Sequence, residues 1–176
     1  MQDLTKIPTE NIPAKQATTS LMARSAQWLG GSLKTRQRNL FGEDGQFEGT
    51  EETCEIAPDA DREAVTLVLN DATAASQPAR KSDIAKALLR LSAKTAVRPG
   101  APELGELVMT VFAEDLQAYP GDIVLEVIAG WKGKWFPVFD DLDRAISREG
   151  RTRQSLLREA QRADARAIAP NIRRMP

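Results

Sequence analysis

The apolar positions after residue 57 recur at intervals of three and four residues, which is the period of an amphipathic α-helix. The first such segment follows Pro58, with Asp59 and Asp61 as candidate N-terminal caps. A short strand over residues 65–69, Val-Thr-Leu-Val-Leu, stays an alternative. The apolar face of the predicted helix consists of Ala64, Val65, Val68, Leu69 and Ala72.

Five further helical segments follow, each bounded by proline or glycine. Proline disfavours the α conformation of the residue before it, and it is itself accommodated in the first turn of a helix. The segments are predicted over residues 82–98, 102–119, 120–131, 139–150 and 151–169. The second of them keeps an amphipathic stripe at Leu104, Leu107, Val108, Val111, Phe112 and Leu116.

Short connections between these helices favour antiparallel neighbours in one bundle. We therefore predict an all-α fold: a small bundle of about five to six helices over residues 58–169, followed by a basic tail over 170–176. Aromatic residues are only 5% of the chain, so the core is expected to be aliphatic.

Residues 1–57 are predicted to be a largely disordered extension, because their prolines, glycines and polar runs bury too little apolar surface to offset the entropy of ordering. An apolar island from Leu21 to Leu33 is either a helix that docks on a partner or part of the tail, and we favour the tail. The extension is basic and then acidic. Residues 1–40 hold six Lys/Arg against two Asp/Glu, and residues 41–75 hold one against ten, a pattern typical of tails and contact surfaces.

Candidate catalytic and metal-binding residues are sparse. The chain has no histidine, which removes the commonest general base and metal ligand, and its single cysteine, Cys54, has no partner for a disulfide or a catalytic pair. The glycines lack the spacing of a phosphate-binding loop. Asp140, Asp141 and Asp143 are interpreted as acids at the positive end of a helix rather than as a cation site. We predict no enzymatic activity, no cofactor and no metal.

Apolar runs in the chain are all shorter than the roughly 18 residues that a membrane-spanning helix requires. The segment 1–6, Met-Gln-Asp-Leu-Thr-Lys, lacks the apolar region of a signal peptide. We therefore expect a cytoplasmic protein.

The passage 113–137 holds four of the nine aromatic residues, including the only tyrosine and two of the three tryptophans. One interpretation is structural, with bulky side chains filling the core at helix ends. The other is an exposed anchor for a protein partner, since tryptophan and tyrosine are enriched in interface hot spots. The residue types alone favour the core interpretation. The candidate partner-binding residues are Tyr119, Trp131, Lys134, Trp135 and Phe136.

The order of these residues resembles a group of phage and prophage proteins from replication modules, similar to replicative-helicase loader/inhibitor proteins. The resemblance covers about residues 82–162 and is carried by Asp115-Leu116, Tyr119-Pro120, Trp131, Lys134-Trp135-Phe136-Pro137 and Leu142. It implies a helical domain that delivers a hexameric replicative helicase to an origin, with an initiator as the other partner. Here the helical unit follows the extension, whereas the family pattern places it first.

The last segment is rich in arginine and supplies a second candidate function. Residues 151–176 hold seven Arg against two acids, so a DNA-binding regulator that contacts phosphates is the alternative to the adaptor. A solvated helix face that pairs with the acidic extension is an equally good interpretation. The candidate nucleic-acid contacts are Arg151, Arg153, Arg158, Arg162 and Arg166.

Overall fold

Six helices and one two-stranded antiparallel sheet make up the residues that this computed structural model describes, which are 13–41, 45–98 and 106–172. In chain order the elements are α1 (Ala14–Leu29), β1 (Leu33–Phe41), β2 (Phe47–Ile56), α2 (Arg62–Ala75), α3 (Lys81–Ser92), α4 (Glu106–Asp115), α5 (Gly121–Ala129) and α6 (Phe139–Ile172). None of the helices in these ranges is long and apolar enough to cross a bilayer.

Two apolar cores share α6. The first core lies between α3, α4, α5 and the N-terminal half of α6, which contributes Leu142 and Ile146. The second lies between α1, α2, β2 and the C-terminal half of α6, which contributes Leu156, Ala160 and Ala163. The helix therefore acts as a common wall for both halves of the molecule.

The prediction of an all-α fold is wrong in one respect, because β1 and β2 form a hairpin. The register pairs Leu33 with Ile56 and Thr35 with Cys54, and only Cys54 and Ile56 of these four are buried. The inner face of β1 is otherwise polar, so its sequence lacks the apolar alternation that indicates a strand.

The prediction of a largely disordered extension does not describe residues 14–41 and 47–56, which contain α1 and the two strands of the hairpin. Helix α1 buries only Ala14, Leu21, Ser25 and Leu29. These apolar positions are too few to predict a helix from the sequence. The helix is stabilised by its packing against α2. Residues 1–12 lie outside the described part of the chain.

Helix α2 confirms the helical interpretation of its segment and excludes the strand over residues 65–69. The Asp61 side chain accepts a hydrogen bond from the Ala64 N–H at 3.0 Å, so it caps the helix as predicted. Asp140 and Asp141 lie in the first turn of α6, where the helix dipole favours negative charge.

The two helices predicted over 139–150 and 151–169 are one helix of 34 residues. A glycine inside a helix costs about 1 kcal/mol of helix stability relative to alanine. Burial of the α6 residues before and after Gly150 offsets this cost. A Cβ atom at Gly150 would lie 3.8 Å from Ile123 Cδ1, so the glycine lies at the contact with α5. The helix also continues past the predicted boundary at Pro170, to Ile172.

The predicted stripe of α4 is rotated in the structure. Met109, Ala113 and Leu116 are the buried residues, while Leu107 and Val111 are exposed. Nearly every residue from 107 to 113 is apolar, so the sequence period cannot decide which side faces the core. Leu104 lies outside the described residues.

Gly121, at the start of α5, provides a test of the contact between the first helix turn and the segment before α3. Its N–H donates to the Gln77 carbonyl at 2.9 Å, and an added Cβ would lie 2.2 Å from the Ala79 nitrogen. That nitrogen belongs to the backbone and cannot move aside as a side chain can. We therefore expect Gly121→Ala to lower the free energy of unfolding by about 1–3 kcal/mol, measured by urea denaturation. Gly31→Ala is the control, since nothing lies within 4 Å of its added Cβ. Equal stability of the two variants would contradict this close approach.

Candidate functional site

The segment 131–137, here called the aromatic turn, is held against the chain that follows α3. The Ala96 N–H donates to the Lys134 carbonyl at 3.0 Å, and the Phe136 N–H donates to the Ala96 carbonyl at 2.9 Å. These two bonds make an isolated parallel bridge between Ala96 and Trp135. The turn therefore has a fixed backbone conformation although it contains no helix or strand.

Trp131 folds back over the turn. Its Nε1 donates to the Trp135 carbonyl at 3.3 Å, and a Cβ at Gly133 would lie 2.5 Å from the same nitrogen. The Lys134 ammonium lies 4.9 Å from the centre of the Trp135 ring, which is a cation–π geometry. Trp131 and Trp135 are both half-buried, and Lys134 is exposed.

Two of the five predicted partner-binding residues have structural roles. Phe136 is buried, and its ring centre lies 6.5 Å from that of Phe112, which in turn contacts Phe139 at 5.4 Å. The Tyr119 hydroxyl donates to the Asp143 carboxylate of α6. That hydrogen bond, together with burial, raises the pKa of Tyr119. The aromatic passage is thus largely core, as its residue types favour.

Four exposed aliphatic residues lie on α4 and beside the residues of this aromatic core in sequence, and sequence reasoning did not identify them. We call them together the α4 surface: Val97, Leu107, Val111 and Val138. Leu107 is 76% exposed and lies one helical turn before Val111. Val111 and Val138 directly precede Phe112 and Phe139, whose rings are in contact, and Val97 follows the bridging residue Ala96.

Charged pairs lie beside the α4 surface. Arg98 pairs with Asp141 at 3.2 Å, next to Val97 in sequence, and Lys81 pairs with Glu114 at 3.2 Å near the end of α4. An apolar centre with charged residues around it is the usual anatomy of a protein–protein interface.

The predicted nucleic-acid contact Arg153 is buried, with 1% of its surface exposed. Its guanidinium forms a two-point ion pair with Asp122 at 2.7 and 2.8 Å. It also donates to the Ala14 carbonyl at 2.7 Å, the Ala75 carbonyl at 2.9 Å and Thr18 Oγ1 at 2.8 Å. The assignment of Arg153 to DNA is therefore wrong: this side chain joins α1, α2 and α5 to α6.

The other four predicted nucleic-acid contacts divide into two kinds. Arg151 is half-buried, whereas Arg158, Arg162 and Arg166 are exposed and recur every fourth residue, which places them along one side of the helix. All three have partners within the chain, and Arg158 Nε donates to the Gln154 carbonyl at 3.2 Å. Arg162 pairs with Glu159 at 2.6 Å, and Arg166 Nη2 donates to the Ile56 carbonyl at 3.3 Å.

Cys54 is buried on the inner face of β2. Burial, together with the charge of Glu52, raises the pKa of its thiol to about 11, so the group stays protonated at neutral pH. A protonated, buried thiol is a poor nucleophile and a poor metal ligand. Across the described ranges, no group of three or more His, Cys, Asp or Glu side chains is arranged to hold a metal ion.

Comparison of the chain with protein-family models, with curated proteins and with solved structures finds no match.

Arg153 offers the sharpest test of the site's architecture. Arg153→Met keeps an unbranched apolar chain in place of the arginine stem but removes five hydrogen bonds and leaves Asp122 without its ion-pair partner. We expect the free energy of unfolding to fall by about 3 kcal/mol, at the lower end for a broken buried pair because Asp122 is partly exposed. Arg158→Met, on the exposed side of the same helix, should change it by less than about 0.5 kcal/mol. A similar loss in both variants, measured by urea denaturation, would contradict the role of Arg153.

Proposed function

We propose that the chain is a non-enzymatic adaptor that binds another protein through the α4 surface. The observation that carries the proposal is the exposure of four aliphatic side chains next to a rigid aromatic core. Exposed apolar groups of this kind, surrounded by charges, are typical of protein interaction sites. The resemblance of residues 82–162 to helicase loader/inhibitor proteins supplies the partner in the proposal, a hexameric replicative helicase in the cytoplasm.

Binding would be stoichiometric and would use the surface as it stands. The rings of Phe112, Phe136 and Phe139 support the α4 surface from inside, so little side-chain or backbone ordering is needed when a partner arrives. The half-buried Trp135, with Lys134 over its ring, extends the same region with an aromatic edge. The ion pairs beside the surface would orient the partner by complementary charge.

Charge substitution within the α4 surface tests this function. In the double variant Leu107→Asp and Val111→Asp, two solvated carboxylates would have to be buried against the partner. We expect the affinity for a purified hexameric replicative helicase to fall by about 100-fold or more, measured by size-exclusion co-elution and by interferometry. Both positions are exposed, so the fold should keep its stability.

Leu67→Asp is the matched control, because Leu67 is an exposed leucine on α2. Equal co-elution of the helicase with the wild type, the double variant and the control would exclude the α4 surface. Failure of the wild type to bind the helicase would exclude that partner and leave the surface to be tested with others.

A DNA-binding regulator is the second candidate, and the exposed row of Arg158, Arg162 and Arg166 favours it. Cations at intervals of four residues along one helix can neutralise successive phosphates. The pairing of Arg162 with Glu159 opposes this function, since a phosphate would have to compete with that carboxylate.

Salt dependence distinguishes phosphate contact from other binding. If the row contacts duplex DNA, the double variant Arg158→Glu and Arg162→Glu should make the dependence of the binding constant on salt less steep. The slope of log K against log salt concentration should fall in magnitude by about 2, measured by fluorescence anisotropy with a labelled duplex. Lys86→Glu with Arg90→Glu, which reverses two exposed cations of α3, is the control for net charge. An unchanged slope, or no retention of duplex by the wild type at low salt, would exclude this function.

A further inference from the structure

The two edges of the β1–β2 hairpin differ in what covers them. On the β2 edge, the Cys54 N–H donates to Ser155 Oγ at 2.9 Å, and the Ile56 carbonyl accepts from Arg166 Nη2 at 3.3 Å. Side chains of α6 therefore bind that edge at Cys54 and Ile56. Within the part of the chain that the structure describes, β1 pairs with β2 alone, so its outer edge carries no further strand.

The register identifies the backbone groups on the open edge. The Ala57 N–H donates to the Ser32 carbonyl at 2.9 Å, just before the first pair of the strands. Hydrogen-bonded pairs alternate along an antiparallel ladder, so every second residue of β1 points its N–H and C=O outward. The same alternation assigns outward groups to Cys54 and Ile56, in agreement with their bonds to α6. The residues of β1 whose N–H and C=O groups point away from β2 are Leu33, Thr35, Gln37 and Asn39.

The side chains between these positions are cationic. Lys34, Arg36 and Arg38 are all exposed and alternate along β1, so they share one face of the hairpin. A strand added to the open edge would place its own side chains directly beside them, where carboxylates are favoured. Arg36 already pairs with Glu55 of β2 at 3.0 Å on that face.

Two other occupants fit this edge less well. A second copy paired through the same edge would set the three cations of β1 against themselves, which is unfavourable. A nucleic acid backbone has no N–H and C=O groups at strand spacing, so it cannot form the main-chain hydrogen bonds that the open edge offers. An extended peptide with acidic side chains at alternate positions meets neither difficulty.

The tip of the hairpin adds an apolar anchor. Phe41 and Phe47 contact each other edge to face with ring centres 6.0 Å apart, and both are exposed. An apolar residue at one end of a bound strand can pack on this pair, while the backbone bonds run along β1.

We infer that the outer edge of β1 binds an extended acidic segment of a partner protein as a third strand. The main-chain groups of Thr35, Gln37 and Asn39 provide the hydrogen bonds, and the three cations select acidic residues at alternate positions. The hairpin shares no residue with the α4 surface, so this inference does not rest on the function proposed above.

The test uses the full chain and a labelled synthetic peptide, Thr-Glu-Val-Glu-Val-Glu-Thr-Phe, in fluorescence anisotropy. We expect this peptide to bind about tenfold or more tightly than the same peptide with lysine at the three glutamate positions, and to weaken as salt rises. Charge reversal at Lys34→Glu and Arg38→Glu should invert the preference. In amide exchange measured by NMR, the peptide should protect the N–H groups of Thr35, Gln37 and Asn39.

Gln37→Pro removes the central outward donor, at an edge position where proline is tolerated, and should weaken the acidic peptide about tenfold. Gln37→Thr keeps the donor and should bind like the wild type. Circular dichroism of both variants shows whether the fold is retained. No binding of the acidic peptide at about 1 mM, equal binding of the lysine peptide, or protection of amides elsewhere would each overturn the inference. So would self-association of the chain, or binding of a nucleic acid, that protects these same three amides.

Discussion

The ion pair between Arg153 and Asp122 is the contact on which the arrangement of both cores depends. A buried guanidinium is tolerated only when every donor finds an acceptor, and here the acceptors come from three other elements. Two of the acceptors are backbone carbonyls at helix termini: Ala14 at the start of α1 and Ala75 at the end of α2. The buried charge of Arg153 therefore determines the relative positions of the helices rather than the strength of their packing.

The sequence predicted those elements whose local pattern agrees with their packing. Helices α2, α3 and α5 each have one apolar side and a recognisable start, and the cap at Asp61 follows from its residue type. The hairpin could not be predicted, because only Cys54 and Ile56 are buried among its paired residues whose side chains the structure describes. Two buried positions are too few to give the alternation of apolar and polar residues that indicates a strand. Gly150 predicts a helix end because its effect on the backbone is local, whereas the burial that keeps α6 continuous through it is tertiary.

The α4 surface contains none of the five partner-binding residues that the sequence predicts. Of those five, Phe136 is buried in the core and Tyr119 donates to Asp143 of α6. The exposed aliphatic residues beside them carry no sequence signal, because an apolar residue on an apolar helix can face either way. Arg153 illustrates the same limit for charge: its spacing matches that of its neighbours, and only the tertiary structure distinguishes a buried cation from a solvated one.

Helix α6 has a further consequence for how the molecule can be used. A helix of 34 residues is about 50 Å long, and it belongs to both cores. A linker of comparable sequence length without helical structure would leave its two ends free to reorient. Here the α4 surface is built against one half of α6 and the hairpin against the other. Two molecules bound at those two proposed surfaces would be held at one separation and one relative angle, which α6 sets.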